Sequence, residues 1–467
     1  MTTTNNTTGL IRGIGLWQAT ALNMIDMIGV GPFITLPAIL AAMGGPQAML
    51  GWVFGAVISM CDGLVWSELG AAIQGSGGSY LYLREAYGPD RWGRLMSFMF
   101  IWMILFSAPL SVASGAIGFS QYTAYLWKGM TPLESKAVAV SVIVITVALL
   151  YRKITTIGKL SILLWGGVIL TVGWMVVAGM LHFNPRQVLD FPPNAFHLSW
   201  KFFFGLAMAS RFAVYDYWGY YNICFLGGEV RDPGRNIPRA VLLSIAAVAA
   251  IYLLMNLSVI SVIPWREAVA LVQDPNQTHN FIASIFMERL YGHRAAQIIT
   301  LLVMWTALAS VFSLLLGYSR IPYAAAVRGD FFKVFARLHP RHGFPYLSLL
   351  FLGFMAALFS LRKLTDVISA LVIIRVVIQF LSQTTGVIVL RRRRPDLPRP
   401  FRMWFYPVPA LVALVGWVFI LISRASEFRF IAYAILITII GVAIFLARAA
   451  KRQQWPFETA GQAKDSP

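Results

Sequence analysis

The stretch NMIDMIGVGPF, from Asn23 to Phe33, lies in the middle of an apolar segment that spans residues 14–40. Gly29, Gly31 and Pro32 disfavour a continuous helix here, and proline has no backbone N–H to donate. An unpaired backbone group in lipid costs several kcal/mol, so such an interruption must be buried or line a cavity. Broken membrane helices of this kind hold small polar substrates in transporters. Close helix packing through the glycines is the alternative, but it needs neither the proline nor Asp26.

The composition is that of an integral membrane protein. Of its 467 residues, 58% are hydrophobic and 12% are charged, whereas a soluble domain has about 25% charged residues. Apolar runs of about 18 residues or more predict membrane helices. The first run is too long for the core of a cleaved signal peptide, so we expect it to be retained. Twelve spans are predicted, at about residues 14–40, 46–72, 94–127, 135–151, 154–181, 198–228, 237–263, 291–323, 343–361, 364–391, 401–423 and 426–448.

The net charge of +19 reflects membrane topology. With the loops assigned alternately to the two sides, Lys and Arg are concentrated on the side that holds both termini, which predicts a multi-pass protein of the cytoplasmic membrane with both termini in the cytoplasm. The four arginines at 391–394 are interpreted as a topology anchor that faces anionic lipid. The predicted macromolecular environment is therefore the lipid bilayer, not nucleic acid. Cys61 and Cys224 lack metal-ligand spacing, and neither a metal nor a cofactor is predicted.

A second interruption is predicted in the sixth span, where RFAVYDYWGYYN occupies residues 211–222. Four tyrosines, a tryptophan, a glycine and an aspartate suit a pocket lining better than a lipid-facing helix. This interruption comes five spans after the first, and an odd offset reverses the orientation of a helix. Spans one to five and six to ten are therefore predicted to form an inverted pair, because interruptions at corresponding positions of two halves indicate a transporter site.

Five ionisable residues are predicted to lie deep inside their spans, away from the membrane interface. A charge at the bilayer centre costs about 2.5–3.5 kcal/mol on insertion scales, so such residues are expected to face the interior of the bundle or water. Two readings of Asp216 stay open: an ion pair with Arg211, or direct contact with a substrate. Asp62 and Glu68, near the end of span two, are expected to be interfacial. The five intramembrane residues are Asp26, Lys159, Arg211, Asp216 and Arg375.

Four motifs in order along the chain resemble those of the amino acid–polyamine–organocation (APC) superfamily of permeases. The resemblance covers residues 12–448 and implies an all-α membrane fold of twelve helices, with two inverted five-helix repeats (LeuT-like), helices 1 and 6 broken, and two C-terminal helices. The motifs are GVGPF at 29–33; EL at 68–69 with GSGGSYLY at 75–82 and AYGP at 86–89; EVRDP at 229–233 through NIPRA at 236–240; and RRPDLPRPF at 393–401.

The resemblance also implies roles for individual residues. In matching permeases, N–H groups of the first break bind the substrate carboxylate, and carbonyl groups of both breaks bind its amine. Lys159 matches a lysine that reaches the first break in place of a sodium ion, and it is assigned to coupling. Tyr215 is the candidate that closes over the substrate. The full predicted substrate site is Asp26, Met27, Gly29, Val30, Gly31, Tyr215, Asp216, Tyr217, Trp218 and Gly219, with no catalytic residue.

The chain departs from the family pattern at both breaks. Many members have serine where Val30 stands and isoleucine where Pro32 stands, so one hydroxyl and one N–H donor are missing here. At the second break, aligning on Trp218 instead of on the downstream EVRDP motif moves every assignment by two residues.

The predicted function is secondary active transport of amino acids by alternating access, through sodium-independent proton symport or exchange. A polyamine or cationic amino acid is the alternative substrate, and a sensor that binds amino acids without moving them is a minor alternative. No nucleotide-binding loop is found, which argues against direct coupling to ATP. The histidines fit no zinc or Ser-His-Asp pattern, so an enzyme is not predicted. The predicted organisation is a tail at 1–13, a permease domain at 14–448 (repeats 14–181 and 198–391, extra helices 401–448) and a tail at 449–467.

Overall fold

The computed structural model describes residues 10–273, 281–422 and 428–457, and the regular elements in these ranges are helices, with two isolated β-bridges. The all-α prediction is confirmed for this part of the chain. The α-helices are α1 Leu16–Met27, α2 Pro32–Met43, α3 Met49–Ala72, α4 Ser79–Tyr87, α5 Trp92–Leu126, α6 Pro132–Leu150, α7 Ile154–Leu181, α8 Pro185–Val188, α9 Trp200–Tyr217, α10 Asn222–Phe225, α11 Pro233–Val262, α12 Trp265–Gln273, α13 Ile282–Tyr291, α14 His293–Tyr318, α15 Arg320–Val327, α16 Tyr346–Phe359, α17 Leu364–Arg375, α18 Ser382–Arg393, α19 Val408–Ile422 and α20 Phe428–Lys451.

Eight helical segments in the described residues are long and apolar enough to cross a membrane, and α1 with α2 makes a ninth if the bent pair is one span. The remaining predicted spans correspond to α9, α16 and α19, of which α16 and α19 are short apolar helices. The count of twelve spans and the repeat layout therefore stay predictions. Of the two predicted tails, residues 1–9 and 458–467 lie outside the described residues.

Local sequence explains where several helices begin and end. Proline is the first residue of α2, α6 and α11, a position where the missing N–H is not needed. In α6 the Thr131 hydroxyl accepts from the N–H of Glu134, whose carboxylate accepts from the N–H of Thr131, which forms a capping box. Helix α2 ends at Gly44, which has a φ of +68° and so takes the left-handed conformation common after a helix.

The helices that carry the two predicted interruptions lie inside the bundle. Helix α1 packs against α7, α11 and α14, while α2 packs against α9. Helix α3 packs against α9 and α11, and α5 packs against α14 and α17. Residues 19–33 are all buried, as are residues 216–230. Protein therefore surrounds both interruptions, whereas a lipid-facing helix would have an exposed side.

Asp62 and Glu68 of α3 are both buried inside the protein, at 1% exposure, and their position at the membrane interface stays a prediction. Both carboxylates are paired with donors from distant parts of the chain. Glu68 accepts from Arg391 at 2.7 and 2.5 Å and from the N–H of Met403 at 2.8 Å. A buried carboxylate is tolerated where charged and polar donors replace water in this way.

Candidate functional site

The two interruptions meet at one point in the bundle. The first separates α1 from α2, with a bend of 51° between them, and the second lies between the end of α9 and the start of α10. The Tyr252 hydroxyl of α11 lies 2.6 Å from the carbonyl oxygen of Met27 and 3.0 Å from that of Asp216, so its single proton is shared between the two acceptors. Gly219 has a φ of +127°, and a Cβ on it would lie 2.8 Å from the backbone nitrogen of Met27. Only glycine permits this approach.

A small cavity lies between the interruptions. Nine of the ten predicted substrate-site residues are in its lining, together with side chains from α5, α14 and α17 that were not predicted. The lining is Asp26, Met27, Gly29, Val30, Gly31, Ser111, Ser114, Gly115, Tyr215, Asp216, Trp218, Gly219, Tyr221, Ser310, Leu314, Tyr318, Leu371 and Arg375.

Two predicted residues are outside this lining. Tyr217 is fully buried against Trp52 and Tyr252, on the side of α9 that faces α3 and α11. Lys159 is exposed on α7, while its neighbours Gly158 and Ser161 are buried. Its side chain therefore leaves the helix on the outward face, about half a turn away from the face that packs on α1. Among the described residues no contact joins Lys159 to the first interruption, and its role in coupling stays a prediction.

Asp216 accepts a 2.5 Å hydrogen bond from the Thr35 hydroxyl of α2 through its Oδ2 atom. In the described residues no salt bridge joins Asp216 to Arg211, one of its two predicted roles, and the Arg211 guanidinium lies over the ring of Phe212, 4.6 Å from its centroid. The other carboxylate oxygen, Oδ1, has no hydrogen-bond partner among the described residues, and neither has Oδ2 of Asp26. Both unpaired oxygens belong to side chains in the cavity lining.

Arg375 is a site residue that the sequence reasoning did not assign. It is 2% exposed and comes from α17, where it donates to the Tyr221 hydroxyl at 2.8 Å and to Ser111 Oγ at 2.9 Å. Its guanidinium carbon lies 4.9 Å from the ring centroid of Tyr318, in cation–π geometry. In the sequence, the signal was a lone arginine in an apolar span. In the structure, the π-helical segment Val376–Leu381 follows this arginine directly. Such π-helical turns are frequent at functional sites.

The carbonyl groups near the end of α1 are bonded to hydroxyl groups of other helices. Ser313 Oγ donates to the carbonyl oxygen of Leu22 at 2.8 Å, and Ser310 Oγ to that of Asp26 at 3.4 Å. The Tyr252 hydroxyl donates to the carbonyl oxygen of Met27, as described above. Three carbonyl oxygens that a broken helix could offer to a cation therefore already have donors from this chain.

The amino acid permease family model matches residues 14–445 of this sequence. The chain belongs to this family. The permease is 24% identical to the serine/threonine exchanger SteT of Bacillus subtilis, over 94% of its own length and 97% of that relative. It is 26% identical to the mouse b(0,+)-type amino acid transporter 1, over 90% and 84% of the two chains. It is also 26% identical to the human Asc-type amino acid transporter 1, over 93% and 82%.

The permease is thus a membrane transporter and not an enzyme, as its sequence predicted. Its cavity offers the groups that a small zwitterion needs. The N–H groups of Val30 and Gly31 have no acceptor in the described part of the chain and stand at the N-terminal end of α2. The positive end of a helix favours an anion. No cluster of His, Cys, Asp and Glu in the described residues could hold a metal ion.

Proposed function

We propose that this permease is a secondary transporter that carries amino acids across the cytoplasmic membrane by alternating access at the cavity between the two interruptions. The observation that carries the proposal is the pair of helix breaks joined by Tyr252 around a lined cavity. The carboxylate of the amino acid binds the free N–H groups of Val30 and Gly31. Its ammonium group binds the unpaired oxygen of Asp26 on the other side of the break.

Exchange of one amino acid for another is the transport mode that we propose first. One relative, which aligns with this chain over 97% of its own length, is named a serine/threonine exchanger. The distribution of Lys and Arg between the loops supports an orientation with both termini in the cytoplasm.

Counterflow in proteoliposomes tests this function. Vesicles are preloaded with each of the twenty amino acids in turn, and entry of the same labelled amino acid from outside is followed. A transporter raises the concentration of labelled amino acid inside the vesicles above the outside concentration for a time. A binding protein or sensor retains at most one labelled molecule for each binding site. Failure of every amino acid to drive accumulation by correctly inserted protein would exclude the proposal.

Transport is proposed to be independent of sodium. The three carbonyl groups of α1 that hydroxyl donors occupy are of the kind that coordinate sodium in broken helices. Replacing external sodium with choline at constant pH should therefore leave the initial rate of counterflow unchanged. A several-fold loss of rate would show that these hydroxyls turn to admit a sodium ion.

A polyamine or cationic amino acid is a second candidate substrate. The cavity contains two carboxylates, Asp26 and Asp216, against the one guanidinium of Arg375. This excess of negative charge favours a cation. Adding putrescine, spermidine, lysine and arginine as competitors in the counterflow experiment separates the two substrate classes, because only a cation carrier is inhibited by the two polyamines.

A further inference from the structure

Asp216 occupies the end of α2 at which the substrate carboxylate is proposed to bind. A Cβ placed on Gly31, the residue before the first turn of α2, would overlap the Oδ1 atom of Asp216. The other oxygen of the same carboxylate is held by Thr35, which is also in α2. The side chain is 2% exposed and lines the cavity. The permease therefore presents one of its own carboxylates to a helix end that attracts anions.

No basic side chain in the described residues forms an ion pair with Asp216. Helix α2 has no titratable residue, and Tyr252 of α11 bonds to the backbone carbonyl of Asp216, not to its carboxylate. Asp62 of α3 accepts from other donors, among them the Tyr220 hydroxyl. From α5, Ser114 Oγ accepts a hydrogen bond from the Tyr215 hydroxyl of α9. The charged groups that share the cavity with Asp216 are Asp26 and Arg375, and the positive charge of Arg375 interacts with Asp26. The phenols near Asp216 are those of Tyr215, Tyr217 and Tyr252.

An amino acid whose carboxylate reaches Val30 and Gly31 would place a second negative charge beside Asp216. Two carboxylates that share one buried site do not both stay ionised, and they share one proton instead. We propose that Asp216 is the coupling site of this permease, and that it takes up one proton from solvent when the carboxylate of an amino acid binds at α2. The proposal rests on the proposed function, because it requires an amino acid to bind in this cavity.

The proposal fixes the direction of the pH dependence. Where Asp216 is ionised in the empty cavity and protonated in the complex, each rise of one pH unit weakens binding tenfold, because one proton binds together with the amino acid. At lower pH, where Asp216 is already protonated in the empty cavity, binding no longer depends on pH. Exchange remains possible throughout, because each amino acid that enters or leaves carries the same proton.

Calorimetry measures the coupled proton directly. The amino acid with the fastest counterflow is titrated into purified permease in two buffers that differ in ionisation enthalpy, from pH 5 to pH 9. The wild-type protein should take up one proton per bound amino acid in part of this range. Asp216→Asn should bind with no proton uptake and with an affinity that does not change with pH. Asp190→Asn, which alters an exposed carboxylate outside the cavity, should match the wild type.

A second ligand makes the test independent of the variant. The amine that has hydrogen in place of the carboxylate of the same amino acid stays an ammonium ion up to pH 9, since alkylamines have a pKa of about 10, so the wild-type permease should bind it without proton uptake. Equal proton uptake with the amino acid and this amine, uptake that persists in Asp216→Asn, or no uptake by the wild type at any pH would each overturn the proposal. Counterflow by the wild type in the same experiments would show that the proposed function stands even if Asp216 is not the coupling site.

Discussion

Asp62 shows how one side chain can hold the second interruption in place. Its Oδ2 atom accepts from Trp66 Nε1 at 2.9 Å and from the Tyr220 hydroxyl at 2.6 Å, and its Oδ1 atom accepts from Thr384 at 3.2 Å and Trp417 Nε1 at 3.4 Å. An ionised carboxylate has about four acceptor positions, so its capacity is filled. Since Tyr220 belongs to the interruption, Asp62 connects this segment to α3, α18 and α19.

Replacing Asp62 with asparagine should destabilise the protein. Each carboxylate oxygen receives one indole N–H, and an indole can only donate, so neither orientation of the amide satisfies both tryptophans. A buried donor left without an acceptor costs about 1–3 kcal/mol. We expect the thermal unfolding midpoint of Asp62→Asn in detergent to fall accordingly.

Asp190→Asn is the matched control for this prediction. Asp190 also accepts from an indole, that of Trp265, but its side chain is 45% exposed, so water can replace the lost acceptor. The free energy of unfolding of Asp190→Asn should differ from that of the wild type by no more than about 0.5 kcal/mol, and its unfolding midpoint should change correspondingly little. Equal effects of the two substitutions would show that the four bonds to Asp62 do not stabilise the fold.

Residue types predicted part of the site from sequence and missed another part. The charges of Asp26 and Asp216 stood out because each lies beside an interruption marked by glycine. Arg375 was noticed as a buried cation but was not assigned, because its contacts with Ser111 and Tyr221 join residues far apart in the chain. Lys159 lies on the exposed face of α7, which the resemblance did not predict because it specifies a position along α7 but not the face of the helix that the residue occupies.

At the scale of elements, Tyr252 of α11 is the contact that joins the two interrupted helices. Its one hydroxyl serves the carbonyl groups of Met27 and Asp216, which the breaks leave without helical partners. The first interruption was predictable, because glycine and proline mark it. The π-helical segment Val376–Leu381 was not predictable, since its apolar residues and one glutamine are all compatible with an ordinary helix.

Tyr252→Phe should slow counterflow and lower stability. The substitution removes one hydroxyl from two buried carbonyl groups, at a cost of about 1–3 kcal/mol, and it releases the two breaks from each other. Tyr87→Phe is the control, because the Tyr87 hydroxyl donates to the carbonyl of Ser382 at 2.8 Å, away from the cavity. Counterflow rate and unfolding midpoint are measured for both. Wild-type counterflow by Tyr252→Phe would contradict the role of this bridge.

At the scale of the whole molecule, a buried ion pair joins α15 to the segment that follows the second interruption. Arg320 Nε lies 2.9 Å from Glu229 Oε2, with both side chains at most 2% exposed. The backbone carbonyl of Glu229 also accepts from the N–H groups of Gly13 and Ile14, at 2.9 and 3.0 Å. Glu229 therefore connects α15, through its side chain, and residues 13 and 14 before α1, through its backbone, to the segment that follows the second interruption.

Glu229→Gln should be strongly destabilising, because it leaves the positive charge of Arg320 buried without a partner. Breaking a buried pair in this way costs about 3–5 kcal/mol. Glu267→Gln makes the same chemical change in an exposed pair, where Glu267 and Arg289 are 42% and 39% exposed. That variant should lose less than about 1 kcal/mol. The unfolding midpoints of the two variants, measured side by side, check this difference. Similar midpoints would mean that the buried pair does not stabilise the fold more than the exposed pair does.

The location of substrate binding is tested most directly by adding side-chain bulk at Gly31. A side chain here collides with Asp216 and fills the approach to the free N–H groups of α2, while no core contact is removed. The control is Gly166→Leu on α7, where the glycine is exposed and nothing lies within 4 Å of an added Cβ. Counterflow of the best amino acid is measured in proteoliposomes that contain equal amounts of inserted protein. The account predicts no counterflow for Gly31→Leu and the wild-type rate for Gly166→Leu. A wild-type rate for Gly31→Leu would show that amino acids do not pass through the cavity between the two interruptions.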